Sequence, residues 1–395
     1  MSEFTVPRSI CYGFGAIEAV TKLPAGRAMI VSDQIMAGLG WVDRVTKILE
    51  AAGTEVRAFA DVEPDPSRDT VAAGAEVMRE HEPEVVIGLG GGSAIDAGKA
   101  MWVFYEMPET SWDVVSVPFS LPPMRKKARY IAVPSTSGTG TEVGIGAVIT
   151  DRAADPPTKK SIDSYELTPD LAILDPELCL SMPPEVTANT GMDVVSHALE
   201  GYAAAGANDF SDGLCIKALQ TVFEWLPRAV EDGSDREARE KMHNASTGAG
   251  LGFNNAGLGL THSLAHQLGA VWGVVHGRGN ALLLPHVVAF NAGDPSSAAR
   301  YAQVATALGV GRDGVEESVG ALIDKLLELG DRVGMPRSTG DAGVPGDELE
   351  AKLDGIAQHA LDDACTGDNV RQPTIDDLRG IYRRVSEGLT PRVGS

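Results

Sequence analysis

The sequence predicts an α/β N-terminal domain built on a parallel sheet, followed by an all-α C-terminal domain. Three observations predict it. Short apolar, strand-forming runs alternate with amphipathic windows over the first 180 residues. Two of those runs break into glycine- and hydroxyl-rich loops just before helical spacing resumes. After "MPPEVTANT" (182–190) the strand-like runs give way to helical windows. Strand, helix, strand, helix with short links means parallel pairing with helices on both faces. The boundary is therefore expected near Met182, giving domains of 1–182 and 183–395.

The elements follow in chain order. "FTVPRSICYGFG" (4–15) suits an N-terminal strand, expected to be shared across a dimer. "RAMIVSD" (27–33) is a buried-type strand, and an amphipathic stretch follows to about Ala52. "EVRAFAD" (55–61) is a strand and "RDTVAAGAEVMREH" (68–81) a helix. "PEVVIGLGGGS" (83–93) is a strand that ends in glycines, and "AIDAGKAMWVF" (94–104) returns to helical spacing. "ARYIAVPS" (128–135) and "LAILDPE" (171–177) complete the strands. Beyond Met182 the helical windows include 185–204, 209–230, 296–308, 313–334 and 374–387. In 185–204, Met192, Val195, Leu199 and Tyr202 share an apolar side at the helical period.

The totals narrow the partners. The 395 residues carry a net charge of −22, spread along the chain, which opposes nucleic acid and anionic membrane. Hydrophobic residues make up 43 %, enough for two sizeable cores. The four cysteines, Cys11, Cys179, Cys215 and Cys365, form no CxxC pair and read as reduced, intracellular thiols. No basic start precedes an apolar run, and no stretch reaches the roughly 18–20 apolar residues that span a bilayer. A cytoplasmic location is expected.

"GLGGGSAIDAGKA" (88–100) sits where a strand becomes a helix. Glycines allow a phosphate close to the backbone, and the N–H groups and positive end of the next helix hold it. Ser93 adds a hydroxyl and breaks the GxGxxG pattern, so the loop alone is equally a tight turn. The acid that would meet a ribose, Asp33, lies before the glycines rather than about 20 residues after them. A second polar loop, "PSTSGTGTEVG" (134–144), follows the strand at 128–135. Two such loops at the carboxyl ends of parallel strands point to one crevice, where open α/β sheets bind ligands.

Five of the eight histidines lie between 197 and 276. Asp193 and His197 are four residues apart on one helical face, and His262 and His266 repeat that spacing, with His276 beyond. A single such pair is usually a salt-bridged core feature. Two pairs and a further histidine in apolar surroundings are costly to bury unless they bind a metal. One carboxylate with several imidazoles suits Fe²⁺, Zn²⁺, Mn²⁺ or Ni²⁺. The residues alone do not choose between His262 and His266.

The segments "GGGSAIDAGK", "PSTSGTGTEV", "GMDVVSHALE" and "HSLAHQLGAVWGVVHGRGNA" resemble the signatures of iron-containing (group III) alcohol dehydrogenases over roughly residues 5–390. "SYELTPDLAILDP" is similar to stand-alone counterparts of the alcohol dehydrogenase half of bifunctional aldehyde/alcohol dehydrogenases. The resemblance implies a Rossmann-like nucleotide domain and a helical domain in the dehydroquinate synthase-like architecture. It implies metal ligands at Asp193, His197, His262 and His276, most commonly for Fe²⁺, with Zn²⁺ or Mn²⁺ as alternatives. His266 then stands beside the nicotinamide as a catalytic proton carrier. Gly90, Gly91, Gly92 and Ser93 would cradle the pyrophosphate, and Ser135, Thr136 and Thr139 contact the nucleotide. Lys159, or its neighbour Lys160, matches a nucleotide-contacting lysine. Asp33 matches the position that accepts the ribose 2′-OH, which favours NAD over NADP.

The implied reaction is hydride transfer between NAD and a short primary alcohol or its aldehyde, in a homodimer or a larger homo-oligomer. Three positions depart from the pattern: Val275 stands where relatives usually have Pro, and Gly144 and Gly146 shrink side chains facing substrate. Arg278 could receive an anionic tail, as in sulfoacetaldehyde, although an ordinary ion pair explains it as well. A lyase resembling dehydroquinate synthase is disfavoured by the Asp193/His197 pairing, and a maleylacetate-type reductase by the full metal set. A non-catalytic nucleotide-binding oligomer is the alternative of another class.

Overall fold

The computed structural model describes residues 3–153 and 158–393. Among them are the strands β1 (Ser9–Tyr12), β2 (Arg27–Val31), β3 (Glu55–Phe59), β4 (Val85–Gly90), β5 (Arg129–Pro134), β6 (Gly146–Asp151), β7 (Thr158–Asp163) and β8 (Leu171–Leu174). Six of them form one sheet in the order β1-β8-β5-β4-β2-β3, with every neighbouring pair parallel. Period-two alternation sorts their side chains. Ala28 and Ile30 of β2 enter one apolar core, while Met29 and Val31 enter the other. The helices α1 (Gln34–Gly38) and α2 (Trp41–Ala51) give residues to the first core. The helices α3 (Arg68–His81) and α4 (Gly92–Glu106) give residues to the second. Helices therefore cover both faces, and a short α5 (Trp112–Val115) adds Val115 to the second core.

The chain passes from β2 to β3 on one side, then returns to place β4 on the other side of β2. This reversal leaves a crevice at the carboxyl ends of β2 and β4, the usual ligand position in such sheets. Strand β1 pairs with β8 of its own chain, Ser9 opposite Leu171, and stands at one edge of the sheet. Strands β6 and β7 form an antiparallel hairpin that the sequence analysis did not anticipate.

Contacts divide the chain into two compact units that meet in sequence at Ser181 and Met182. The second unit is built of helices: α6 (Pro184–Ala203), α7 (Asp209–Glu231), α8 (Arg236–Phe253), α9 (Leu260–Trp272), α10 (His276–Asn291), α11 (Pro295–Ala307), α12 (Val315–Arg332), α13 (Gly346–Leu361), α14 (Ala364–Asp368) and α15 (Ile375–Ser386). Helices α6, α7, α8, α11 and α12 enclose one core, α9, α13 and α15 another, and α10 contributes to both. No helix among the described residues is long and apolar enough to cross a membrane.

Two histidines sit in this helical packing as neutral groups. Burial pushes His243 down to about 4; burial, then the charge of Arg384, pushes His286 down to about 4. Their folded values lie below the unfolded one near 6.5, so stability falls as pH drops from about 6.5 towards 4 and levels off below. Each contributes a loss of roughly 3 kcal/mol at most across that window. Urea midpoints of the metal-free protein are expected to fall between pH 7 and 4.5, and less steeply in His243→Leu. An unchanged slope in that variant counts against the assignment.

Candidate functional site

The helix α6 is buried along nearly its whole length, and its polar groups need partners. The i, i+4 step puts Asp193 and His197 one turn apart on one face. His262 comes from the first turn of α9, and His276 opens α10. Gly277 lets α10 approach: a Cβ there would lie 2.0 Å from the Asn189 carbonyl and 3.2 Å from Asp193 Cβ. Asp193 Oδ1 lies 3.9 Å from His197 Nε2, 3.8 Å from His262 Nε2 and 3.5 Å from His276 Nε2. One ligand atom from each of the four residues lies within 4.8 Å of all the others.

Donor atoms on a tetrahedral first-row ion at about 2.1 Å are roughly 3.4 Å apart, so these separations need little adjustment. The hydrogen bonding around these atoms also suits a cation. Asn280 Nδ2 lies 2.8 Å from Asp193 Oδ1, 3.1 Å from His276 Nε2 and 3.3 Å from His262 Nε2. One amide with two hydrogens thus faces three acceptors. Burial alone would raise the Asp193 pKa, but His197, His276, His262 and the Asn280 amide outweigh it and lower it. A carboxylate and three imidazole lone pairs turned inward are a donor set for a divalent cation.

The shell around these residues is as specific. His262 Nδ1 donates to Glu200 Oε2 at 2.5 Å, which leaves Nε2 as the inward lone pair. Burial opposes protonation of His262, but Glu200 reverses the balance and raises its pKa. The ring of Phe253 stacks on His197 at 4.4 Å and 17°. His266 lies next to the cluster, its ring stacked on His276 at 5.4 Å, and its Nδ1 donates to Asp363 at 2.8 Å. The sequence reading missed Glu200, Phe253, Asn280 and Asp363. Glu200 and Asn280 carried a usable signal, lying three residues past His197 and four past His276. Asp363 is 97 residues from His266 and carried none.

The first unit holds the nucleotide candidates. Gly91 caps α4 without a side-chain bond, so the amides that open this helix are free of a competing cap. Gly90 has φ +147°, and a Cβ there would meet Ala94 at 2.8 Å and Asp33 Oδ2 at 3.0 Å. Only glycine fits this turn. Ser135 N donates to the Gly90 carbonyl at 2.8 Å, while Thr136 and Thr139 flank Gly91 and Gly92. Asp33, Gly90, Gly91, Gly92, Ser93, Ser135, Thr136 and Thr139 therefore gather at the carboxyl ends of β2, β4 and β5. Asp33 is also a helix cap, its Oδ1 accepting from Met36 N at 2.9 Å.

Beneath these loops Lys99 is fully buried and donates to the carbonyls of Thr141, Gly144 and Gly146 at 2.7–3.1 Å. It pins the segment in which Gly144 and Gly146 occur. Lys159 lies outside this gathering, on β7, with its ammonium 2.6 Å from Asp65. The Arg278 guanidinium faces the Asp341 carbonyl at 3.5 Å.

Known proteins are similar to this chain over nearly its whole length. The family model described as iron-containing alcohol dehydrogenase matches residues 7–176, and that of the Fe-containing alcohol dehydrogenase family, C-terminal, matches 187–386. The chain is 43 % identical to the NADPH-dependent butanol dehydrogenase of Clostridium saccharobutylicum over 98 % of its length and 99 % of that protein. It is 41 % identical to the aldehyde-alcohol dehydrogenase of Streptococcus pneumoniae, covering 93 % of this chain but only 44 % of that longer protein. The iron-containing alcohol dehydrogenase of Thermococcus thioreducens superposes with a TM-score of 0.89 at 34 % identity, covering 98 % of this chain and all of the other.

Proposed function

Because the chain belongs to the iron-containing alcohol dehydrogenase family, we propose that it interconverts short-chain primary alcohols and aldehydes with NAD, through a divalent ion held by Asp193, His197, His262 and His276. It is an oxidoreductase of the metal-dependent alcohol dehydrogenase type. The convergence of one carboxylate and three imidazoles in an apolar helical core carries the reading. Fe²⁺ is the expected ion, with Zn²⁺ or Mn²⁺ compatible with the same donors. When bound, the ion supplies Lewis-acid polarisation of the substrate oxygen, and the nicotinamide supplies or accepts hydride.

The chain's residues do the rest. With Nδ1 committed to Asp363, His266 keeps Nε2 for exchange of the alcohol proton. Phe253 keeps an apolar wall against His197 and excludes water from it. Residues 1–182 would hold the nucleotide, with Gly90–Ser93 and the start of α4 on the pyrophosphate and Ser135, Thr136 and Thr139 alongside. Lys159 would have to leave Asp65 to join them. Four free cysteines support a reducing, cytoplasmic setting. A homodimer completes the reading and is checked by light scattering.

The test is NADH consumption by anaerobically metal-loaded protein with acetaldehyde, lactaldehyde, 3-hydroxypropanal and sulfoacetaldehyde. Turnover of the neutral aldehydes supports the reading. Cofactor binding without turnover of any of them favours a non-catalytic nucleotide-binding protein.

Asp33 sets the cofactor expectation. Its carboxylate accepts from a ribose 2′-OH and repels a 2′-phosphate, although the butanol dehydrogenase relative is named NADPH-dependent. Asp33→Ser keeps a helix cap and removes the charge. The kcat/KM ratio of NADH to NADPH is expected to fall at least about tenfold in that variant, equivalent to about 1.4 kcal/mol. An unchanged ratio would remove Asp33 from the discrimination.

A further inference from the structure

Helix α6 presents a third polar residue on the face that carries Asp193 and His197. Glu200 lies three residues past His197 and seven past Asp193, so it projects to the same side. Its residue is only 6 % exposed, and both its oxygens are committed. Oε2 accepts from His262 Nδ1 at 2.5 Å and Oε1 from the backbone N–H of Thr261 at 2.6 Å. Thr261 belongs to the first turn of α9, whose amides have no acceptor within the helix. Gly259 makes room, since a Cβ there would stand 3.0 Å from Glu200 Oε1. One carboxylate thus grips both the backbone that carries His262 and the outer nitrogen of its ring.

A neutral acceptor could cap α9, so capping alone does not explain a buried carboxylate. Its second bond does. Holding Nδ1–H fixes the tautomer that leaves the Nε2 lone pair facing Asp193, His197 and His276. It also fixes the ring rotation and makes the imidazole a stronger donor. We propose that Glu200 is a positioning residue of the metal centre and acts through His262. The inference rests on the ligand set proposed above and adds a residue that touches neither metal nor substrate.

A thermodynamic cycle tests it. Co²⁺ binding to metal-free protein is measured by chelator competition and by the visible absorption of the bound ion, in wild type, Glu200→Gln, His262→Ala and the double variant. Glutamine keeps the volume but turns an NH₂ towards one of the two donors. Glu200→Gln is expected to weaken Co²⁺ binding by about 10–100-fold and to alter the absorption band. In the His262→Ala background the same change is expected to add nothing. Wild-type affinity in Glu200→Gln, or an equal loss in both backgrounds, overturns the proposal. Wild-type affinity in His262→Ala instead overturns the ligand set itself. Should Glu200→Gln fail to fold, Glu200→Asp, with its charge kept but withdrawn by one methylene, takes its place in the cycle.

Discussion

Replacing His262 by alanine is expected to leave the purified protein with less than about a tenth of the wild-type metal content and to cut alcohol oxidation by about a thousandfold or more. The site shows why the loss should be so complete. His262 enters from the first turn of α9 and faces Asp193 across 3.8 Å, closing the cluster from the side opposite α6. Without it, two ligands from α6 and one from α10 remain, and His276, whose side chain is 41 % exposed, is the least enclosed of them. The change also strips Glu200 of its partner and leaves a buried carboxylate with only the Thr261 amide. Breaking a buried pair in this way costs about 3–5 kcal/mol, so the variant should also melt earlier. Elemental analysis of protein loaded without oxygen, followed by a thermal melt, reads both effects. Full retention of metal would remove His262 from the ligand set and shift suspicion to His266.

The elements that were legible in the sequence have their apolar residues in one period. The helix at 68–81 coincides with α3, and the window 185–204 is α6 displaced by one residue. Strands β2, β4, β5 and β8 stood out because both faces of a parallel sheet are buried and their runs are continuously apolar. The hairpin β6–β7 escaped because "TKKSID" buries only Ile162, which leaves no run to read. Helix α8 is harder to delimit because "NASTGAGLGF" is built of small residues, and α10 because Pro285 lies inside it. Strand β1 was legible as a strand, but its partner was not: pairing is a property of the sheet, and an edge four residues long specifies it weakly.

The site divides in the same way. The i, i+4 pairing exposed Asp193 and His197 because one helix supplies both. The choice of His262 and His276 over His266 came from family spacing alone. In the structure the ligand atoms of Asp193, His197, His262 and His276 lie within 4.8 Å of one another, while His266 turns its Nδ1 to Asp363. Lys159 illustrates the reverse case, a residue matched by motif whose charge is already engaged, with Asp65.

His266 provides the second large effect, in which turnover should separate from metal content. In His266→Ala the metal content should stay near that of wild type while kcat falls by about 10²–10⁴-fold, the range expected when a positioned proton carrier is lost. The separation follows from the ring's two contacts. Asp363 holds Nδ1 at 2.8 Å, and the ring lies flat against His276 at 5.4 Å, so Nε2 is held beside the cluster without being one of its four donors. A side chain 38 % exposed can also pass a proton on to water. Added imidazole should restore part of the lost rate, because the alanine leaves a space next to a carboxylate that already orients an N–H. Asp363→Asn should cost less than His266→Ala, since the amide can still accept from Nδ1 while losing the charge that steadies the ring. Loss of the metal together with the rate in His266→Ala would make His266 a ligand, and the proton route would then have to be sought elsewhere in the helical unit.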